Sequence, residues 1–473
     1  MMNRVLTPKQ KALDLNLDSS IYGTFAEIGA GQETVRHFFR AGGASHTIAK
    51  AMSAYDKDFS DAIYGKEPKN RYVTQNRLRN MLRYETSLIE ERLNMEKHSG
   101  EKFFAYANTV TTINFEKTRK GHGWVGVRFQ LNEGGDYSEI VIHVKFKDND
   151  ATLQQETLGN LGVNLIYGAF RYHDNPRKLI ISLYDDIAMD KLEIDMIDFS
   201  GSAFEYVDNR LMSLQLVKLG MTEAVVFNSK GHNMLPADIL YKQNIFAVRG
   251  SFRPVTLVNV DMFENGLKMF FDDNEINIEN TQVLFEITTS NLRADGDIDE
   301  RDFLDRVDIL AKLGYKVMIS NFSEYYRLVD YFSHYSEGKV GIAMGVNNLL
   351  DVFDESFYEM LPGRILEAFG KFFKQGMRVY LYPYKDIKTG ELLTSENLKV
   401  EKNLKDLYKY FKRNRRIVDI NNFKPEYLEI YSRDILNKIA NRQIGWEEQL
   451  PNGVSEIIKE RGMFGYQKFT FEE

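Results

Sequence analysis

Arg249 and Arg253 stand four residues apart, the first closing the apolar run NIFAVR, and Glu286 sits inside another such run, QVLFEIT. A planar guanidinium holds a phosphate or carboxylate through two parallel hydrogen bonds. A carboxylate inside an apolar run is costly to bury unless it pairs with an arginine, binds a metal or moves a proton. These residue types point to an anion site, with Arg249 and Arg253 as clamps and Glu286 as general base or magnesium ligand. The competing account of the same residues is a buried Arg249–Glu286 ion pair, with Arg253 bracing the loop before Pro254. On the first account Arg249→Ala weakens ligand binding and leaves the fold intact; on the second it unfolds the chain. Asn228, Asn321 and Asn347 lie at the ends of further apolar runs, where they either orient a ligand or satisfy strand-end backbone groups. Asp198 lies near the end of LEIDMIDF, and His173 and His232 follow apolar runs; all three are candidate catalytic acid–base groups. Gly345 through Asn348, Asn347 and Asn348 included, is a segment whose amides suit a phosphate.

A frame must bring these groups together. Eight short apolar runs recur from Asn164 to Tyr384, with amphipathic helical stretches between them. They are NLIYGAF from Asn164, LEIDMIDF from Leu192, EAVVFN from Glu223, NIFAVR from Asn244, QVLFEIT from Gln282, YKVMISN from Tyr315, KVGIAM from Lys339 and RVYLYPY from Arg378. Continuous apolar runs fit strands covered on both faces, and intervening helices fit parallel crossovers. The pattern predicts an α/β chain whose residues 151–385 form a (β/α)8 barrel of TIM type, with its chemistry at the carboxyl ends of the strands. Alternation along each strand then sends the polar set to one rim, and Gly341, Ala343 and Gly345 predict space inside the barrel. An open doubly wound sheet is the competing arrangement, told apart by whether the first and eighth strands pair.

Residues 1–150 lack this rhythm and predict an α+β domain. A helix is expected from Thr74 to Lys97, followed by a meander of KFFAYANTVTTINF, WVGVRFQ and SEIVIHVKF, with the acidic segment DNDAT from Asp148 as boundary. Residues 386–473 predict a helical extension. In FAEIGAGQETVRHFF, Gly29 and Gly31 open a helix whose amides, with Arg36 and Arg40, suit an anion or simply form a helix-entry turn. AGGASHTIAK invites the same two readings, His46 and Lys50 on one face or Ser45 as a cap. RADGDIDERDF has the look of a calcium loop but lacks the final glutamate, so Asp297 or Asp299 is expected to cap a helix. The basic stretch KVEKNLKDLYKYFKRNRR suits an anionic partner or a solvated helix face.

Composition narrows the chemistry. The 473 residues contain no cysteine, which excludes thiolate nucleophiles, disulfides and cysteine-bound metal. Hydrophobic residues at 43% suffice for a large core, and no run approaches the roughly 18 apolar residues of a spanning helix. A net charge of -7 argues against nucleic acid and anionic lipid as partners. The chain is expected in the cytoplasm, with an anionic small molecule as ligand, no membrane partner and room for a homo-oligomer. No HExxH, GxSxG or GxxxxGK[ST] segment occurs. The expected function is an enzyme acting on a phosphorylated or carboxylated small metabolite, nucleotides included; the alternative is a non-catalytic interaction or assembly protein.

The phrases YGTFAEIGAGQE, FFRAGGASHTIAKAMSAYD, GWVGVRF, LGVNLIYGAF, VDNRLMSLQLV, RGSFRPVTLVNVDM, DGDIDERDFLDRVDIL and ISNFSEYYRLVDYF resemble, over nearly the whole chain, a widespread bacterial protein family. Its members often carry the labels nicotinate-nucleotide adenylyltransferase or TonB-dependent receptor. The receptor label implies a secretory signal and membrane-spanning strands, and neither pattern is present. The adenylyltransferase label implies a His-x-Gly-His segment, whereas GHG at Gly121–Gly123 has one histidine. No catalytic residue carries over from either label. A helix-and-meander domain before a barrel also resembles the type II phosphoribosyltransferases of pyridine-nucleotide salvage, which implies a pyridine-nucleotide transferase as a further alternative.

Overall fold

Strands buried along most of their length organise both halves of the chain. The structure, a computed structural model, describes residues 5–68, 71–93, 98–272, 276, 278–293 and 296–467. The chain divides into two compact units, Met1–Thr222 and Glu223–Glu473.

The first unit runs α1 (Pro8–Asn16), β1 (Ile21–Ile28), α2 (Glu33–Ala41), β2 (Ile48–Met52), α3 (Lys57–Tyr64), α4 (Gln75–Arg92), β3 (Lys102–Thr111), β4 (His122–Gln130) and β5 (Tyr137–Phe146). It continues with α5 (Ala151–Arg171), α6 (Pro176–Ser182), β6 (Leu192–Ser200) and α7 (Asn209–Lys218). Its sheet has the order β2-β1-β3-β4-β5-β6. The first three strands are parallel and the rest form the expected antiparallel meander, lengthened by β6. α4 coincides with the helix expected from Thr74, whose last residues, 94–97, lie outside the described residues.

Two of the expected barrel strands belong to this unit. LEIDMIDF is β6, antiparallel to β5. NLIYGAF is no strand at all but the end of α5, buried without a break from Leu161 to Phe170. A helix enclosed on all sides loses the amphipathic period that would distinguish it from a buried strand. Glycines allow the enclosure: a Cβ on Gly162 would lie 2.3 Å from the Thr34 hydroxyl of α2. The acidic segment expected as a boundary caps this helix, Asp150 accepting from the Thr152 and Leu153 amides.

The second unit runs β7 (Ala224–Phe227), β8 (Asn233–Met234), α8 (Pro236–Leu240), β9 (Asn244–Arg249), α9 (Leu257–Phe271), β10 (Thr281–Thr288), α10 (Thr289–Leu292), α11 (Glu300–Lys312), β11 (Val317–Ser320) and α12 (Tyr325–Ser333). There follow β12 (Val340–Gly345), α13 (Val346–Val352), α14 (Arg364–Phe372), β13 (Arg378–Tyr382), the short pair β14 (Tyr384–Lys385) and β15 (Leu392–Leu393), α15 (Lys405–Arg413), β16 (Ile417–Asp419), α16 (Ser432–Ala440) and α17 (Val454–Arg461). The sheet order is β16-β13-β12-β9-β10-β11-β7-β8, parallel from β16 to β11 and antiparallel beyond.

This order corrects the barrel expectation. A barrel adds each strand on the same side until the last meets the first, whereas β12 returns to the free side of β9. The sheet stays open, with β16 and β8 at its edges. Counted along the chain, the six parallel strands lie in the order 6-5-4-1-2-3, the doubly wound arrangement. EAVVFN is the antiparallel β7, and β16 arises within the segment expected to be helical. The likeness in architecture to the barrel phosphoribosyltransferases ends with the barrel.

The helices confirm the two-way winding. α9 and α11 bury aromatic residues on one face, Phe246 against Phe270 at 5.4 Å and Phe227 against Phe303 at 6.2 Å between ring centroids. α12, α14 and α15 cover the other, where Leu328, Phe369 and Phe411 join Ile245, Ile342 and Val379 in one core. Gly341 and Ala343 do not open a cavity as expected: a Cβ on Gly341 would lie 2.7 Å from the Phe270 ring, so the missing side chain makes room for that aromatic. Asp299 caps α11 by accepting from the Arg301 and Asp302 amides, while residues 294–295 of the calcium-like segment lie outside the described residues.

The meander also carries a buried polar chain. His143 has one ring nitrogen 2.6 Å from Asp195 Oδ1 and the other 3.3 Å from His122. Burial, reinforced by His143, lowers His122 to about 4, well below the roughly 6.5 of an unfolded histidine. The folded state therefore binds fewer protons between these values, and the stability His122 contributes is full above pH 6.5 and lost as pH falls through about 4. Urea unfolding at a series of pH values is expected to show that fall, and His122→Gln to flatten it; an unchanged slope in the variant would assign the fall to other groups.

Candidate ligand-binding site

Strand order decides where a cleft forms. Connections leaving β9 and β12 part in opposite directions, and a cleft of about 910 Å³ opens at the carboxyl ends of the strands there. Arg249, Gly250 and Ser251 leave β9 on one side, and Gly345, Val346, Asn347 and Asn348 leave β12 on the other. Thr288, Ser290 and Asn291 reach it from the end of β10, and Tyr325 from the start of α12. Tyr358, Tyr382, Tyr384 and Tyr431 add aromatic surface.

The floor is a closed polar unit. Arg249 and Glu286 are register partners on adjacent strands, so alternation puts both side chains on the face covered by α12. Arg249 Nε donates to Glu286 Oε2 at 2.6 Å, Nη2 donates to Oε1 at 2.9 Å, and Nη1 donates to the Ser323 carbonyl at 3.1 Å. Ser320 Oγ donates to Glu286 Oε1 at 2.5 Å. Glu286 is fully buried and Arg249 nearly so. Burial alone would lower the arginine's pKa; the facing carboxylate reverses this and raises it. The Tyr325 ring covers the flat face of the guanidinium, its centroid 4.2 Å away.

Gly345, Asn347 and Asn348 line the cleft with Arg249, while Glu286 lies beneath it. Neither the Asn347 nor the Asn348 side chain has a hydrogen-bond partner among the described residues. The other sites expected from the sequence lie elsewhere. Arg253 donates to Asp302 Oδ1 at 2.6 Å, and Asp302 also pairs with Arg306. Asn321 follows β11, its amide donating to the Glu223 carbonyl at 3.0 Å. Asn228 and His232 close the β7–β8 hairpin, Asn228 Oδ1 accepting from the Lys230 amide at 2.8 Å and the His232 amide at 3.0 Å. Asp198 and His173 belong to the first unit. Asp198 is bound by Arg79 at 2.5 Å and Asn209 at 3.1 Å, and the His173 carbonyl accepts from the Tyr206 hydroxyl at 3.0 Å.

The glycine-rich turn of the first unit supplies its own anion. The Thr34 and Val35 amides donate to the Glu27 carboxylate at 3.2 and 2.9 Å. Burial pushes that carboxyl up to about 7. In the second glycine segment the chain forms β2 where a helix face was expected, and Lys50 pairs with Glu85 at 2.7 Å. Among the described residues no group of three or more histidine, aspartate or glutamate side chains is placed to hold a metal, and Glu286, expected as a magnesium ligand, has both oxygens on Arg249.

No family model matches the chain, and no curated protein matches it. Among solved structures it is similar to the competence/damage inducible protein CihA of Agrobacterium tumefaciens, at 17% identity and a TM-score of 0.25, over 34% of this chain and 93% of that one. It is also similar to a competence-damaged protein (CinA) superfamily protein of Enterobacter cloacae, at 12% identity and a TM-score of 0.27, over 36% and 95%. A competence or damage-inducible protein of Enterobacter asburiae matches at 12% identity and a TM-score of 0.25, over 35% and 98%. Likeness at these scores says nothing about the chemistry of the cleft. Sequence reasoning missed the tyrosines; with 26 in the chain, no local signal marks the few that a fold gathers.

Because the Arg249–Glu286 pair is buried, either Arg249→Ala or Glu286→Ala leaves an uncompensated charge and is expected to destabilise the unit by about 3–5 kcal/mol. Replacing both by Met and Leu is expected to recover most of that loss. Urea midpoints check this; a stably folded Arg249→Ala would show that the pair is not structural.

Proposed function

We propose that the second unit is the substrate-binding half of an enzyme acting on a small metabolite that joins a planar ring to an anionic group, a nucleotide or a close chemical relative. The observation that carries the reading is the cleft at the strand-order reversal, where doubly wound sheets characteristically bind ligands. Its lining supports the ligand class. Tyrosine rings suit a flat heterocycle, and the unpartnered amides of Asn347 and Asn348 suit its polar edge. The anion falls to Arg433, an exposed lining residue with no carboxylate partner among the described residues, because Arg249 is already neutralised by Glu286. Asp351, which also lines the cleft, supports a catalytic role: burial and the neighbouring Asp354 raise its carboxyl above the usual range, in the direction a proton-transfer group needs.

Among the described residues no helix is long and apolar enough to cross a membrane. A thermal-shift series with AMP, nicotinate mononucleotide and ribose 5-phosphate tests the reading. A saturable rise in Tm is expected with the two nucleotides, equivalent to about 2.7 kcal/mol at a hundredfold excess over Kd. Asn347→Ala is expected to weaken that binding about tenfold with no change in the Tm of the protein alone. The absence of any saturable shift with these nucleotides would sink it.

A further inference from the structure

Tyr325 occupies an unusual position on the floor of the cleft. It is the first residue of α12, it lines the cleft, and it is only 6% exposed. Of its charged neighbours, the Arg249 nitrogens are committed to Glu286 and the Ser323 carbonyl and Glu286 additionally to Ser320, while the carboxyl of Asp351 also acts on the phenol from the cleft lining. Among the described residues the Tyr325 hydroxyl has no hydrogen-bond partner. A buried hydroxyl left unpaired costs about 1–3 kcal/mol, a cost that phenylalanine would avoid while keeping the same ring over the guanidinium. Packing therefore accounts for the ring but not for the oxygen.

The oxygen's chemistry indicates its complement. Burial raises the phenol's pKa, and the hydroxyl stays protonated at neutral pH as a hydrogen-bond donor. Its surroundings hold a guanidinium that Glu286 already balances, so the donor adds directional recognition without a further net charge. An oxygen acceptor on the ligand outside the anionic group that falls to Arg433, such as a hydroxyl or ring-ether oxygen, matches it. We propose that Tyr325 is a ligand-binding residue that donates its hydroxyl hydrogen bond to an acceptor oxygen of the metabolite in the cleft, with the Arg249–Glu286 pair fixing the position of the ring. This rests on the ligand reading given above. The hydroxyl is shielded from bulk water, so contact comes with a small shift of the cleft wall as the ligand seats.

Tyr325→Phe removes that one oxygen and tests the assignment in the full-length chain, with AMP as the probe in isothermal titration and Tm measured on the protein alone. The variant is expected to bind AMP at least tenfold more weakly than the parent and to melt at the same temperature or higher. Equal affinity in parent and variant overturns the role of Tyr325 while leaving the cleft as a nucleotide site. No AMP binding by the parent overturns the nucleotide reading itself and this assignment with it. A Tm lowered by several degrees in the variant shows that the hydroxyl already has a bonding partner within the fold, and overturns the assignment whatever the titration gives.

Discussion

A strand–helix–strand crossover between parallel strands is almost always right-handed, and that rule ties the direction in which a sheet grows to the face on which its helices lie. In the second unit β9, β10 and β11 grow one way with α9 and α11 on one face; β12, β13 and β16 then grow the other way, with α12, α14 and α15 opposite. The reversal falls between β9 and β12. There the loops leave the sheet in opposite directions. The cleft, the place of Asn347 and Asn348 in its lining and the place of Tyr325 all follow from this one change of direction.

The same geometry explains how a charged pair is tolerated in the sheet. Arg249 and Glu286 lie side by side on adjacent parallel strands, where strand spacing holds guanidinium and carboxylate in bidentate contact. Desolvating either charge alone would be prohibitive, but together, with Ser320, the Ser323 carbonyl and the Tyr325 ring, they form a neutral, hydrogen-bonded block. The first unit meets a comparable demand with Glu27, which satisfies the first amides of α2. In both places a residue type that suggests an anion site from sequence is answered by a carboxylate of the chain itself.

Much of the local structure was legible. NIFAVR, QVLFEIT, YKVMISN, KVGIAM and RVYLYPY contain parallel strands, and the meander of the first unit lies at the three runs expected to form it. The alternation that set Arg249 and Glu286 on one face survives the change from barrel to open sheet, because parity along a strand does not depend on which strands are its neighbours. The segment Gly345–Asn348 reaches the cleft for a similar reason: both architectures place their binding loops at the carboxyl ends of parallel strands. NLIYGAF was misread because burial on all sides erases helical periodicity. Asp198 and His173 were grouped with the others only through the barrel, and they fall in a different unit.

By itself the amino-acid sequence determined which segments are apolar enough to be buried, which side chains share a strand face, and that cysteine chemistry is absent. These are properties of neighbours along the chain, set by the two-residue period of a strand and by composition. The tertiary structure alone decided that β12 adds beside β9, that the sheet stays open, and that tyrosines from distant segments line one cleft beside an already neutralised arginine. Strand order is a choice among pairings whose local hydrogen bonding is alike. The energy that selects between them comes from packing whole helices on the two faces, as where Gly341 admits the ring of Phe270, and is shared among residues far apart in sequence.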